Sequence, residues 1–270
     1  MKISVITVCL NSEDTILETL NSVICQSYKD IEHIIVDGGS TDRTIYFLKN
    51  YNFKKKKIIF KKKCSLYNSI NLGIKKASGD IISILHSDDI YNSPDTISNV
   101  VKKIKKSKKN VFFGDVVYYK KNFSNVIRYY SALKFKRNLM TYGFMPPHTG
   151  SFYKKNIFKS YGYYKNFKIA GDFEHLLRLI YKKKIKFEIL NLITTRMKSG
   201  GLSSKNLYSY ITINKELIKS FKINEIKSNR FLIFLRIPSK LLQFFNFNKL
   251  KVNASFKLKK SIFYKTYKET

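Results

Sequence analysis

Residues 32–42 read EHIIVDGGSTD. Glu32 to Val36 form a β-branched apolar run of strand length. The run stops at Asp37-Gly38-Gly39-Ser40, a turn, and Thr41 can then cap a helix that carries Ile45, Phe47 and Leu48. The glycines permit close backbone approach and positive φ. The stretch is not the G-x-G-x-x-G dinucleotide fingerprint, and it has no phosphate-loop lysine. An acid at Asp37 therefore suits a base or ribose hydroxyl better than a phosphate. A tight turn with a helix cap is the plainer reading of the same residues.

The same alternation extends on both sides. Lys2 to Val8 read as a buried strand, and Asn11 and Ser12 can cap a helix from Glu13 to Gln26 whose apolar face is Ile16, Leu17, Leu20, Val23 and Ile24. Downstream come a short strand (Lys57 to Phe60), a helix (Leu66 to Ala77) and a strand (Asp80 to Leu85). The last of these runs into His86-Ser87-Asp88-Asp89, and Ser93-Pro94 then opens another helix. Strand and helix in turn predict an α/β domain with a parallel, doubly wound sheet. Such sheets bind ligands beyond the carboxyl ends of their strands, where both polar clusters fall. Past residue 110 the rhythm changes. Val111 to Tyr119, Gly150 to Tyr153 and Phe187 to Leu190 read as strands, and Ile169 to Lys182 as a helix. After Ser203 only helix is expected. This divides the chain into a domain over 1–215 and a helical, basic extension over 216–270.

The 270 residues carry a net charge of +34, and 44% of them are hydrophobic, enough for a sizeable core. Only seven of the 52 basic residues are arginine, the usual reader of base edges, and the lysines are spread along the chain. With no nucleic-acid motif present, a nucleic-acid-binding protein is the weaker reading of that charge. A solvated lysine coat, or attraction to an anionic membrane surface, explains it better. Cys9, Cys25 and Cys64 form no metal or redox pair, so a reducing compartment is expected. The first apolar run is too short for a signal peptide, and no stretch reaches the roughly 18 apolar residues of a spanning helix. A cytoplasmic protein is expected, with possible docking on the inner face of the membrane. Residues 228–251, SNRFLIFLRIPSKLLQFFNFNKLK, mix large apolar residues with cations and suit an interfacial helix as well as a packing surface.

With ten aspartates against 45 lysines, the acids are informative. Asp88 and Asp89 are adjacent carboxylates at a strand end. Hard oxygen ligands of this kind hold Mg²⁺ or Mn²⁺, which bridges phosphates and stabilises a departing diphosphate. His86 is a third candidate ligand or a polar lining residue. Asp172 stands where a helix begins, as a cap or as a general base beside the metal. His148, after Pro146-Pro147, is a candidate for lining the cleft. Gly200-Gly201-Leu202-Ser203 reads as a closing loop or a turn.

Five segments in order carry a resemblance: ISVITVCLN, SVICQSY, EHIIVDGGSTD, YNSINLGIKKASGDIISILHSDD and IAGDFEHLLRL. Together they resemble the family 2 glycosyltransferases of the GT-A fold, particularly the bacterial surface-polysaccharide and lipopolysaccharide branch, over residues 2 to 205. The resemblance implies a Rossmann-like, mostly parallel sheet and an inverting, metal-dependent transferase of the hexosyltransferase type. Its donor would be a nucleotide-sugar, by family habit a UDP-sugar, and its acceptor a glycan or lipid-linked saccharide. It also implies that Thr7, Asn11, Glu13 and Asp37 hold the nucleoside, that Asp88 and Asp89 form the metal and diphosphate motif, and that Asp172 is the catalytic base. His86, Lys63, Ser65 and Gly171 depart from the family's habit, which leaves an inactive scaffold as the alternative.

Overall fold

The structure is a computed structural model and describes residues 1–119, 126–163, 166–200, 207–227 and 233. The tail reading of residues 228–251 falls almost wholly outside the described residues, and so does that of Gly201, Leu202 and Ser203.

The order through the first half is β1 (Ile3–Cys9), α1 (Ile16–Ile24), β2 (Ile31–Asp37), α2 (Thr44–Lys49), β3 (Lys56–Phe60), α3 (Leu66–Lys76), β4 (Ile81–Ile84), β5 (Asp89–Tyr91) and α4 (Thr96–Lys105). The second half holds β6 (Val111–Tyr119), β7 (Val126–Tyr130), a 3₁₀ turn at Arg137–Tyr142, β8 (Ser151–Lys154) and α5 (Lys155–Ser160). It closes with α6 (Gly171–Leu176), which continues as a π-helix to Lys182, then β9 (Phe187–Lys198) and α7 (Leu207–Ile223).

One sheet runs β3-β2-β1-β4-β8-β6-β9-β5, and β7 also pairs with β6. β3, β2, β1 and β4 are mutually parallel. β8 is antiparallel to both β4 and β6, so β6 regains the direction of the first four, and β9 follows it in parallel. Every residue of β1, β2 and β4 is buried, which is why these strands read as near-continuous apolar runs. Ile6, Ile34, Ile82 and Phe113 face a core under α3 and α6. Ile3, Val5, Ile81 and Phe112 face one under α4. This is an α/β fold of the GT-A kind: a mostly parallel sheet with helices on both faces.

One buried carboxylate inside β2 is satisfied by its neighbours. Glu32 accepts hydrogen bonds from Ser4, Ser78 and Gly79 and pairs with Lys2 and Lys57. Burial alone would raise its carboxyl, but these donors hold it well below the usual range.

Several expected boundaries move. α1 starts at Ile16 rather than Glu13, and neither Asn11 nor Ser12 caps it with a side chain. Asn11 adopts φ +48° and turns its amide toward the β2–α2 loop. Asp42, rather than Thr41, bonds the N–H of Thr44 at the head of α2. α4 begins at Thr96, two residues after Pro94. β9 runs on to Lys198, eight residues beyond the expected end, because it has β6 along its whole length and β5 at its far end. α7 runs unbroken across the boundary expected between 215 and 216.

Candidate active site

Three groups of side chains meet at the carboxyl ends of the strands. The first surrounds Asp37, the last residue of β2 and register partner of Cys9. Asp37 is fully buried. Its Oδ1 accepts the N–H groups of Gly39 (3.0 Å) and Ser40 (2.9 Å), and its Oδ2 accepts the Ser40 hydroxyl and the Cys9 thiol (3.6 Å). Burial, and then the charge of Asp37, push the Cys9 thiol up, so it stays protonated and donates. Gly39 sits at φ +106° with the Lys62 backbone against it, a position that only glycine occupies without strain.

The β1–α1 loop is stitched to this turn. Asn11 N–H donates to Ser40 Oγ (2.9 Å), and Thr41 N–H donates to Asn11 Oδ1 (2.8 Å). Glu13 N–H reaches Asp42 Oδ2 (3.1 Å), and Arg43 N–H reaches Glu13 Oε2 (2.9 Å). Asn11, Glu13 and Asp37 thus share one rim. Thr7 does not stand on it. Thr7 is buried within β1, with its hydroxyl 2.9 Å from His33 Nε2, and His33 Nδ1 lies 2.8 Å from the Tyr51 hydroxyl. Burial pulls His33 down to about 3, so it is neutral. The β1 side chain that faces Asp37 is Cys9.

The second group is the turn after β4. Ser12 Oγ and Ser87 Oγ lie 2.9 Å apart, joining it to the first group. The Thr19 hydroxyl donates to the Asp89 carbonyl (2.8 Å), which ties α1 to β5. Asp89 is fully buried, and neither of its carboxylate oxygens has a hydrogen-bond partner. Burial raises it far above the usual carboxylate range, and the charge of Asp88 adds to this. Burial also raises Asp88, against a pull from Lys198. Two such acids cannot both ionise without a cation beside them. An orphaned buried carboxylate with a second acid next to it is a donor set that fits a hard divalent ion. Among the described residues no group of three His, Cys, Asp or Glu side chains is gathered at metal-holding distance, so His86 does not complete a preformed set with the two acids. Burial, helped by the nearby His148, pulls His86 down to about 3, leaving a neutral ring.

The third group faces the second. The His86 and His148 rings meet edge to face with centroids 5.6 Å apart. His148 Nδ1 lies 3.0 Å from Asp172 Oδ2. Burial would raise the Asp172 carboxyl, but His148 and the N–H of Phe173 (2.8 Å) outweigh it and hold the group below the usual range. Asp172 is the second residue of α6, within its first turn, and not its N-cap.

Several residues that support this site carry no sequence signal of their own. The Tyr67 hydroxyl donates to the Ile169 carbonyl (2.6 Å) and accepts the N–H of Gly171 (2.8 Å). A Cβ on Gly171 would lie 2.7 Å from the Tyr67 ring, so glycine at this place follows from tyrosine at that one. Glu216 of α7 accepts the N–H groups of Lys168 (2.6 Å), Ile169 (3.0 Å) and Ala170 (2.7 Å), the three residues leading into α6. Tyr118, half-buried in β6, is raised by burial against a pull from Arg128, and it also feels the charges of Asp89 and Asp172.

The family profile "Glycosyl transferase family 2" matches residues 4–164. An uncharacterized glycosyltransferase of Mycobacterium tuberculosis is 31% identical over 180 residues, covering 65% of this chain and 68% of that protein. A PGL/p-HBAD biosynthesis glycosyltransferase of Mycobacterium bovis is 26% identical over 243 residues, covering 86% and 88%. Among solved structures, S. aureus TarS 1-349 in complex with UDP superposes with a TM-score of 0.61 at 19% identity, over 82% of this chain and 65% of that one. This chain therefore spans slightly under two thirds of that structure's length. The mannosyltransferase PcManGT from Pyrobaculum calidifontis, in complex with GDP-Man and Mn²⁺, superposes with a TM-score of 0.62 at 18% identity, over 89% and 69%. At those identities the superpositions establish the fold, while the profile, which matches more than half of the chain, establishes the lineage: the chain belongs to glycosyl transferase family 2.

Proposed function

We propose that this chain is an inverting, metal-dependent glycosyltransferase that moves a sugar from a nucleotide-sugar, a UDP-sugar first among the candidates, to a hydroxyl of a glycan or lipid-linked saccharide in bacterial surface-polysaccharide or glycolipid assembly. The observation that carries the reading is the buried, unpartnered carboxylate of Asp89 beside Asp88, at the end of β4 and one ring contact from the His148–Asp172 pair. Structures of similar fold were solved with UDP and with GDP-Man and Mn²⁺, which supports a nucleotide-sugar donor.

In this reading Asn11, Glu13 and Asp37 shape the rim that takes the nucleoside, and Thr7 lies behind it in β1. Asp88 and Asp89 would hold Mn²⁺ or Mg²⁺, with His86, outside any preformed ligand set, as a residue of the same turn. The ion, when bound, offsets the charge that develops on the departing nucleoside diphosphate. Asp172 accepts the proton of the acceptor hydroxyl as that oxygen attacks the anomeric carbon in line with the leaving diphosphate. One displacement from the opposite face inverts the configuration, and the protein forms no covalent bond to the sugar. The net charge of +34 favours anionic substrates and an anionic membrane surface, where each basic residue close to the leaflet adds about 1 kcal/mol.

The test is metal dependence. Asp89→Asn is expected to abolish transfer with its fold intact, since it removes a proposed metal-holding carboxylate whose oxygens make no hydrogen bond in the protein. Excess chelator is expected to do the same to the parent protein. Full activity in chelator would remove the metal from the account.

A further inference from the structure

The reading of Asp172 as the base leaves one close neighbour unassigned. His148 lies on the loop before β8, outside the α6 segment that carries Asp172, yet its Nδ1 is 3.0 Å from Asp172 Oδ2. Both partners are anchored independently. His148 follows Pro146 and Pro147, whose rings fix the local backbone. Its carbonyl accepts the N–H of Ser151 (3.1 Å), and the Pro147 carbonyl accepts the Ser151 hydroxyl (2.8 Å). Asp172 is set by the Tyr67 hydroxyl and by Glu216 through the loop before it. Two rigid mounts bring the imidazole and the carboxylate together, so the contact does not depend on a flexible side chain finding its partner.

The carboxylate then has a defined aspect. Oδ2 faces His148, Oδ1 faces the N–H of Phe173, and the remaining lone pairs are those left for a substrate proton. The titratable groups around the pair are His86 across the ring contact and Tyr67, Tyr118, Tyr153, Tyr163 and His175, each of which feels the charge of Asp172. We infer that His148 is the positioning residue of the base: it donates through Nδ1 to Asp172 and fixes which carboxylate lone pair meets the acceptor hydroxyl. The inference rests on Asp172 being the base. It adds that the working unit is a His–Asp pair drawn from two separate segments.

The experiment is a double-mutant cycle on the full-length protein, reading metal-dependent hydrolysis of whichever UDP-sugar the parent turns over fastest, with water as the acceptor. Asp172→Asn alone is expected to lower kcat about 10²–10⁴-fold. His148→Ala is expected to lower kcat about 10–100-fold, the cost of a misdirected catalytic group, with the donor KM within about twofold of the parent. His148→Asn places an amide N–H where Nδ1 stood and is expected to restore most of that loss. His148→Gln puts its N–H farther out and is expected not to. In the Asp172→Asn background, His148→Ala is expected to cost nothing further, because its effect passes through the carboxylate. An unchanged kcat in His148→Ala, or a full additional loss in the double variant, would overturn the inference while leaving Asp172 as the base. An unchanged kcat in Asp172→Asn would instead overturn the base assignment. Melting temperatures of all variants separate loss of fold from loss of positioning, and a His148→Ala loss matched by unfolding, with no rescue by asparagine, also counts against it.

Discussion

Asp37 shows how a side chain can shape a binding rim without facing solvent. Its four acceptor contacts all go to Cys9, Gly39 and Ser40, and none of its surface is exposed. Hydrogen bonds to a carboxylate acceptor are worth about 1.5–3 kcal/mol each, so the turn that carries Ser40 and Thr41, and the Asn11 loop bonded to it, depend on Asp37. Asp37→Ala is expected to weaken UDP binding at least about tenfold, a loss of about 1.4 kcal/mol, through collapse of that turn. Titration calorimetry with UDP alone checks this. Unchanged affinity would leave Asp37 as a turn residue and nothing more. Gly171 makes a related point: its departure from the family's usual residue is explained by the Tyr67 ring lying against it.

At the scale of elements, α7 governs the catalytic loop from a distance. Glu216 gathers three successive backbone N–H groups of residues 168–170, and no local feature of its helix announces that role. Glu216→Ala leaves those donors unpaired, at about 1–3 kcal/mol for the buried Ala170 N–H and less for the part-buried N–H groups of Lys168 and Ile169. The expected outcome is a lower melting temperature and a fall in kcat, with UDP affinity within about twofold of the parent, because the rim around Asp37 lies on other elements. Equal loss of UDP affinity would mean that α7 supports the whole site rather than one loop. The parts legible in the sequence are those whose cause is local. β1, β2 and β4 are buried on both faces, so their apolar runs name them. β2 closes on Asp37-Gly38, and β4 opens after Gly79-Asp80. β5 and β7 were not legible. β5 has three residues and exists because β9 pairs with it, and β7 exists because β6 extends past β8. Asn11 looked like a helix cap because the residue type favours both caps and turns, and its actual partner, Thr41, lies on another loop. Thr7 stands inside the sheet against His33, a pairing visible only once β1 and β2 are in register.

At the scale of the molecule, the fold gathers segments near residues 11, 40, 87, 148 and 172 at one end of a single sheet. The contacts run in series: Asn11 to Ser40, Ser12 to Ser87, His86 to His148, and His148 to Asp172. The proposed nucleoside rim, the acid pair and Asp172 therefore form one continuous edge, drawn from segments too far apart in sequence to make a local motif. Among the described residues no helix is long and apolar enough to cross a membrane. This edge is proposed to bind a nucleotide-sugar through a divalent ion. The most direct measurement is the melting temperature of the parent protein and of Asp89→Asn against UDP-sugars and GDP-mannose, with and without Mn²⁺. A ligand at about 100 times its Kd adds about 2.7 kcal/mol to the folded state. The account predicts a rise with at least one nucleotide-sugar that needs Mn²⁺ and is absent in Asp89→Asn. No rise with any donor, or a rise indifferent to both Mn²⁺ and Asp89, would contradict it.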